Sequence, residues 1–238
     1  MVGKRAEPSS QATGSKPVGV LEDARERILK AATRLLAARG FDGTTLQAVA
    51  DEVGIRKPSV LHHFPSKEDL RQGVLQQMLD HWNGVLPRLL LAASTGEGRF
   101  EAIIQEIVRF FVDDPDRARL LLREVLDRPD EMRVLLARHV RPWLQLVAKY
   151  IRSGQDHGLH YPSADPEAYV IHVLHLVLVG IALRGTLEAL LEPGSHEAAM
   201  ERQVQELMRI AKCSLFPPQP DGREKGRRAG PSMRKTRR

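Results

Sequence analysis

Apolar side chains recur along most of this chain at the spacing of a helix with one buried face. Ile28, Ala31, Ala32 and Leu35 follow that period, with charged residues between them. The pattern predicts a first helix over Leu21–Arg39, closed by Gly40 as a C-terminal cap. Thr44 stands three residues before Gln47, a capping-box spacing that opens a short helix over Thr45–Val53, ended by Gly54. A third short helix is expected over Lys57–His63. Pro58 falls in its first turn, where a missing N–H costs little, and Pro65 stops it. Ser66 and Asp69 form a second capping pair at the head of a long helix over Lys67–Ala93, with Gly84 and Pro87 as bending points.

The second half uses longer segments. Helices are predicted over Glu97–Asp113, Pro115–Asp127 and Pro129–His157, the last with a kink at Pro142. Asp165 and Pro166 open a very apolar helix reaching Leu191, and Ser195 caps a final helix ending near Cys213. The expected fold is all-α with about nine helices. A three-helix head occupies residues 21–70 and a helical bundle residues 71–215. Residues 1–20 are expected to form a disordered arm and residues 216–238 a disordered basic tail.

Composition agrees with a water-soluble helical protein. Aromatics are 5% of the 238 residues, and hydrophobic residues 42%. The longest apolar run, Tyr169–Leu183, is too short to cross a bilayer and contains His172 and His175. No apolar leader is apparent at the start, so the expected location is the cytoplasm, with no membrane partner. The single cysteine excludes an intrachain disulfide and a cysteine-based zinc site.

The net charge of +6 is unevenly placed. Residues 222–238 carry eight Lys and Arg against one acid, Glu224, while residues 21–221 are net acidic. A basic tail points to a polyanion partner without saying which one.

The sharpest pattern lies in residues 44–64. Two short helices meet at Gly54, where glycine allows a left-handed turn, and Ala50 is small enough for a close crossing. Val49, Val53, Ile55 and Val60 supply an apolar interior. This is the helix-turn-helix pattern, whose second helix is expected to project into a major groove; the alternative reading is a solvated helical hairpin. From Gly54 to Ser66 there is no acidic residue to oppose phosphate. The stretch Gly40–Leu70 resembles the DNA-binding domain of the tetracycline-repressor (TetR) family of bacterial regulators. Gly40–Phe41, Thr44–Thr45, Ile55, His63–Phe64 and Lys67 carry the likeness.

That resemblance implies double-stranded operator DNA as partner, and site residues by position. Thr44 and Thr45 would set a helix N-terminus at a phosphate. Arg56, Lys57 and Ser59 would reach bases or nearby phosphates, with Val60 and His62 on the same helix. His63 and Lys67 would hold the backbone, and Phe64 would pack between the reading helix and the first helix. Leu61 stands where the family often has a phosphate-binding tyrosine, a contact that falls to His62 or is absent. The resemblance further implies a homodimer through the last two helices, and the apolar helix with Gly180, Ala182 and Gly185 suits such a seam.

It also implies an effector cavity whose occupation moves the fourth helix. Candidate lining residues are Trp82, Leu86, Phe110, Phe111, Leu122, Trp143, Tyr150, His172, His175 and Leu176. Most are apolar, which favours a small, mainly apolar effector. The histidines have a second reading, as groups satisfied in the core or at the dimer seam.

The pairs His157–His160 and His172–His175 have chelating spacing, but no Cys and no carboxylate cluster accompanies them, so neither a metal nor a cofactor is expected. No phosphate loop, nucleophile elbow or zinc-protease motif marks an enzyme. The expectation is a sequence-specific, ligand-responsive repressor acting on a palindromic operator. The alternative is an architectural protein that coats DNA through its basic tails.

Overall fold

The computed structural model describes residues 18–92, 96–190 and 196–218. The expected arm and tail lie almost wholly outside these residues, as does Ser195, and the side chain of Leu86 is not among those described. Among the described residues the structure is all-helical. Two compact units divide the chain between Asp80 and His81.

The first unit contains α1 (Val18–Arg39), α2 (Leu46–Val53), α3 (Lys57–His63) and the start of α4 (Lys67–Ala92). Helix α1 buries Ile28, Leu29, Ala32, Leu35 and Leu36, the face its periodicity marks. Val49, Ala50 and Val53 of α2, Val60 of α3 and Leu70 and Val74 of α4 complete this core. Phe64 is buried against α4 and α1. A Cβ on Gly73 would come within 2.7 Å of its ring and 3.4 Å of Leu29.

The second unit contains α5 (Gly96–Val112), α6 (Pro115–Asp127), α7 (Pro129–His139), α8 (Arg141–Asp156), α9 (Pro166–Ala182), α10 (Arg184–Leu187), a 3-10 turn at Glu188–Leu190 and α11 (His196–Leu215). Its core joins Ile103, Ile104 and Ile107 of α5, Leu120 of α6, Ile151 of α8 and Val170, Val173 and Val177 of α9. Helices α6 and α8 both pack on α9. Asp114 and Asp165 cap α6 and α9 by accepting from backbone N–H groups, each followed by a first-turn proline.

Three boundaries differ from the sequence expectation. The segment 129–157 forms two helices that meet at Val140, because the ring of Pro142 disfavours continued helix upstream. The apolar helix ends at Ala182 rather than Leu191, with Gly185 just beyond. The cap of α2 is Thr45, whose hydroxyl accepts from Ala48 N–H at 3.0 Å. The described residues therefore hold eleven α-helices, not about nine.

Candidate nucleic-acid interface

The reading head is shaped by its turn. Gly54 sits at φ +74°, and its N–H together with that of Ile55 satisfies the last carbonyls of α2. That left-handed residue turns the chain at once into α3. Arg56 precedes α3 without a side-chain cap, and Pro58 removes one of the N–H groups that would need one. Arg27 of α1 donates to Val53 O at 2.7 Å, and Arg34 pairs with Glu52, fastening α2 to α1. Ser66 accepts from Asp69 N–H at 3.0 Å and opens α4.

On this scaffold Arg56, Lys57, Ser59, Leu61 and His62 are exposed along α3, and His63 is half-buried at its end. This surface carries cationic and hydrogen-bonding groups and no carboxylate. The His62 and His63 rings lie edge to face at 5.5 Å. Burial, then the neighbouring charges of His62 and Arg25, hold the His63 imidazole below the usual histidine range.

Thr45 is exposed at the start of α2. Thr44 is buried, and its hydroxyl donates to Gly40 O at 2.8 Å, so it braces the turn before α2 and is not free for a phosphate. Val60 is fully buried and belongs to the interior, not to a face that a duplex could touch. Lys67 is half-buried. Its ammonium donates to Phe41 O at 2.9 Å and lies 4.1 Å from the centre of the Phe41 ring. Sequence reasoning missed Arg25, whose guanidinium lies 5.4 Å from the centre of the Phe64 ring, beside His63. Only the packing of α1 brings it there; nothing in its local sequence marks it.

The candidate effector residues do not converge on one place. Trp82, Phe110 and Phe111 form an aromatic cluster, with Trp82 and Phe111 edge-on to Phe110 at 4.9 and 5.0 Å. His81 stacks on Phe110 at 4.5 Å, and Arg117 lies over the same ring. Glu106, itself buried, is 3.4 Å from His81 Nε2. Burial lowers the His81 pKa, although Glu106 acts in the opposite sense. His81 and Glu106 were not among the expected residues; their signal was adjacency to Trp82 and one helical turn to Phe110.

Trp143 and Tyr150 line a different space, a slim cavity of about 40 Å³ among α5, α8, α9 and α11, with Phe100, Ile104, Val173 and Leu215. Leu122 is half-buried on α6. His172, His175 and Leu176 are exposed on α9, so the expectation that they line an enclosed pocket is corrected. Their positions fall on the outward face of a helix whose other side, Val170, Val173 and Val177, is already packed. Leu176 instead borders an open groove of about 720 Å³ between α9 and α11, together with Gly180, Ile181, Leu207 and Ile210. Among the described residues no three His, Cys, Asp or Glu side chains gather as a metal site, and no helix is long and apolar enough to cross a membrane.

Comparison with known proteins assigns both units to one family. Residues 28–74 match the family model of bacterial regulatory proteins, tetR family, and residues 97–210 match a tetracyclin repressor-like C-terminal domain. The HTH-type transcriptional regulator RutR of Escherichia coli is 32% identical over 139 residues, 55% of this chain and 63% of RutR. The chain thus spans less than two thirds of that relative. The negative transcriptional regulator of the icaADBC biofilm operon, IcaR of Staphylococcus aureus, is 24% identical over 56% of this chain and 69% of its own length. The solved structure of the ketosteroid transcriptional regulator KstR2 of Mycobacterium tuberculosis superposes with a TM-score of 0.66 at 17% identity. It covers 82% of this chain and 95% of that one, a likeness of fold.

Proposed function

Since this chain belongs to the tetR family of bacterial regulatory proteins, we propose that it is a ligand-responsive transcriptional repressor that binds a palindromic operator as a homodimer. The observation that carries this reading is the surface of α3. Arg56, Lys57, Ser59 and His62 stand exposed on a helix anchored from beneath by Val60, with no carboxylate among them. Such a helix can lie in a major groove with its N-terminal side chains on base edges. Thr45, His63 and Arg25 flank it and would take backbone phosphates. The IcaR name, a negative regulator, favours repression over activation.

A dimer is supported by the apolar surface that one copy leaves uncovered. Ile171, Leu176 and Val179 of α9, Leu183 just after it and Ile210 of α11 are exposed. Beyond its own helix, a Cβ at Gly180 or Gly185 would meet no described atom within 4 Å, so a second helix has room to approach. The effector would be small and mainly apolar, entering among α5, α8 and α9. At about 40 Å³ the cavity there is too small for such a ligand, so admission has to part its walls. Half-buried Trp143 and Tyr150 are the side chains placed to move.

The test is selection from a randomised DNA pool at near-physiological salt. One palindromic consensus, with Lys57→Ala changing base preference, supports the reading. Absence of enrichment, with binding that vanishes as salt rises and on deletion of residues 222–238, overturns it in favour of charge-driven coating of DNA.

A further inference from the structure

His160 is buried at the junction of α8 and α11, 2% exposed. Its Nδ1 lies 3.0 Å from Ile151 O. A carbonyl only accepts, so Nδ1 carries the hydrogen and donates it. In the neutral imidazole the other nitrogen, Nε2, is then a bare acceptor. It is buried, and no group among the described residues partners it. Buried polar atoms in folded proteins are almost always paired, so an orphan of this kind calls for a partner from outside the chain.

The surroundings hold this ring in one place. Leu159 and His160 both donate backbone N–H groups to Gly154 O, and Gly158, at φ +68°, turns the chain between α8 and His160. Tyr161 N–H is tied to Leu215 O at 2.9 Å, and Gln155 donates to Tyr161 O and Ala164 O. Gly154 leaves room for the ring, since a Cβ there would lie 2.1 Å from His160 Nδ1. The ring meets Tyr150 at 5.5 Å and Phe216 at 4.8 Å, and Phe216 in turn meets Phe100. Tyr150, Phe100, Ile151 and Leu215 are also walls of the slim apolar cavity. The hydroxyl of Tyr169, another wall residue, already donates to Ala211 O.

We propose that His160 Nε2 is the polar anchor of the effector pocket, and that the effector is an uncharged, largely apolar molecule carrying a hydrogen-bond donor, such as a phenolic or alcoholic hydroxyl. The inference rests on the ligand-responsive reading above and adds to it the chemical class of the ligand. His160 is not itself a wall of the cavity, but Tyr150 both lines it and meets the His160 ring, so displacing Tyr150 would extend the cavity to that ring. A donor on the ligand then satisfies the one buried nitrogen the ring leaves unpaired, while the ligand body replaces the collapsed apolar contacts.

The test uses the full chain with ¹⁵N-labelled histidine and three probes of similar shape: phenol, toluene and benzoate. Affinities come from NMR titration, and the His160 Nε2 shift reports hydrogen bonding directly. Phenol is expected to bind about tenfold tighter than toluene, the worth of one hydrogen bond, with benzoate weakest. The Nε2 signal should move with phenol and stay with toluene. His160→Phe should bind toluene as before and lose the preference for phenol. Equal binding of phenol and toluene with Nε2 unmoved overturns the proposal, as does benzoate binding tightest or a phenol preference that survives in H160F. If H160F fails to fold, the nitrogen shift in the unsubstituted protein decides. If neither phenol nor toluene binds, the cavity is not the effector site. That outcome overturns the reading of the pocket itself, a failure distinct from binding without preference.

Discussion

The reading head and the C-terminal unit both bury helices, but they are held by different means. In the head each helix is eight residues or fewer except α1 and α4, and backbone requirements fix the joints. Gly54 must be left-handed, Thr45 must cap, Thr44 must brace Gly40, and Pro58 must stand where no N–H is needed. In the second unit the joints matter less than side-chain volume. Ile, Val and Phe from α5, α8 and α9 fill a core that many similar residues would fill as well. Local geometry therefore restricts which residues can build the head. Side-chain volume is the main restriction on the larger unit, beside its caps at Asp114 and Asp165 and the left-handed Gly158, which leaves its surface and cavities free to specialise.

The strongest way to test this contrast is a charge in the core of the head. Val60→Asp places an unpaired carboxylate where no solvent reaches, and should cost about 4 kcal/mol of stability. Urea unfolding reads that cost, and DNA binding should be lost with it. Retention of a native melting curve would show that the head tolerates what its packing forbids.

Two glycines sharpen the contrast further, because they are needed for opposite reasons. Gly154→Ala drives a methyl group into His160 and should destabilise by about 2 kcal/mol. Adding His160→Ala should recover part of that loss, a coupling that a double-mutant cycle measures. Beyond its chain neighbours, Gly54→Ala meets no described atom within 4 Å. Its cost, about 1 kcal/mol, is conformational, and Gly54→Asn should restore much of it because asparagine tolerates the left-handed region. If Gly154→Ala proves neutral while Gly54→Ala does not, space is not what position 154 supplies.

The smallest expected effect concerns pH. Burial, then the charges of His62 and Arg25, hold the His63 imidazole in the free protein below the usual histidine range, which favours its neutral form. A phosphate beside it would raise its pKa, and binding then takes up a proton. Operator affinity should rise as pH falls from about 8 to about 6, and His63→Gln should flatten that slope. A slope unchanged in H63Q would remove His63 from the phosphate contacts.

The head is almost wholly legible in the sequence because its signals are local. Gly40, Gly54, Pro58 and Ser66 each state a backbone requirement, and each is met where the letters stand. The capping-box spacing puts the cap of α2 one residue early, since Thr44 and Thr45 offer the same oxygen. Only the fold shows the Thr44 hydroxyl turned toward Gly40. Val60 reads both as core and as part of the reading surface, and its burial decides for core. In the larger unit, periodicity marks the helices but not their partners. An apolar helix face does not say whether it meets Phe110, Tyr150 or open water. Character alone groups Trp82, Trp143 and Leu176 together, and the fold separates them into a cluster, a cavity and a groove. His160 stands out in the sequence only by its chelating spacing to His157, because nothing there tells that its ring faces Gly154.

That interlock constrains how the chain can diverge. In a helix interior alanine is better than glycine by about 1 kcal/mol, so drift should favour alanine at position 154 in any lineage free to accept it. The ring of His160 blocks that step. The pair can be lost together, in either order through a less stable intermediate, but a methyl group at position 154 cannot settle beside an intact His160. Among descendants, glycine at 154 becomes a marker that the imidazole is still in use, and its replacement by alanine a sign that selection on the ring has lapsed.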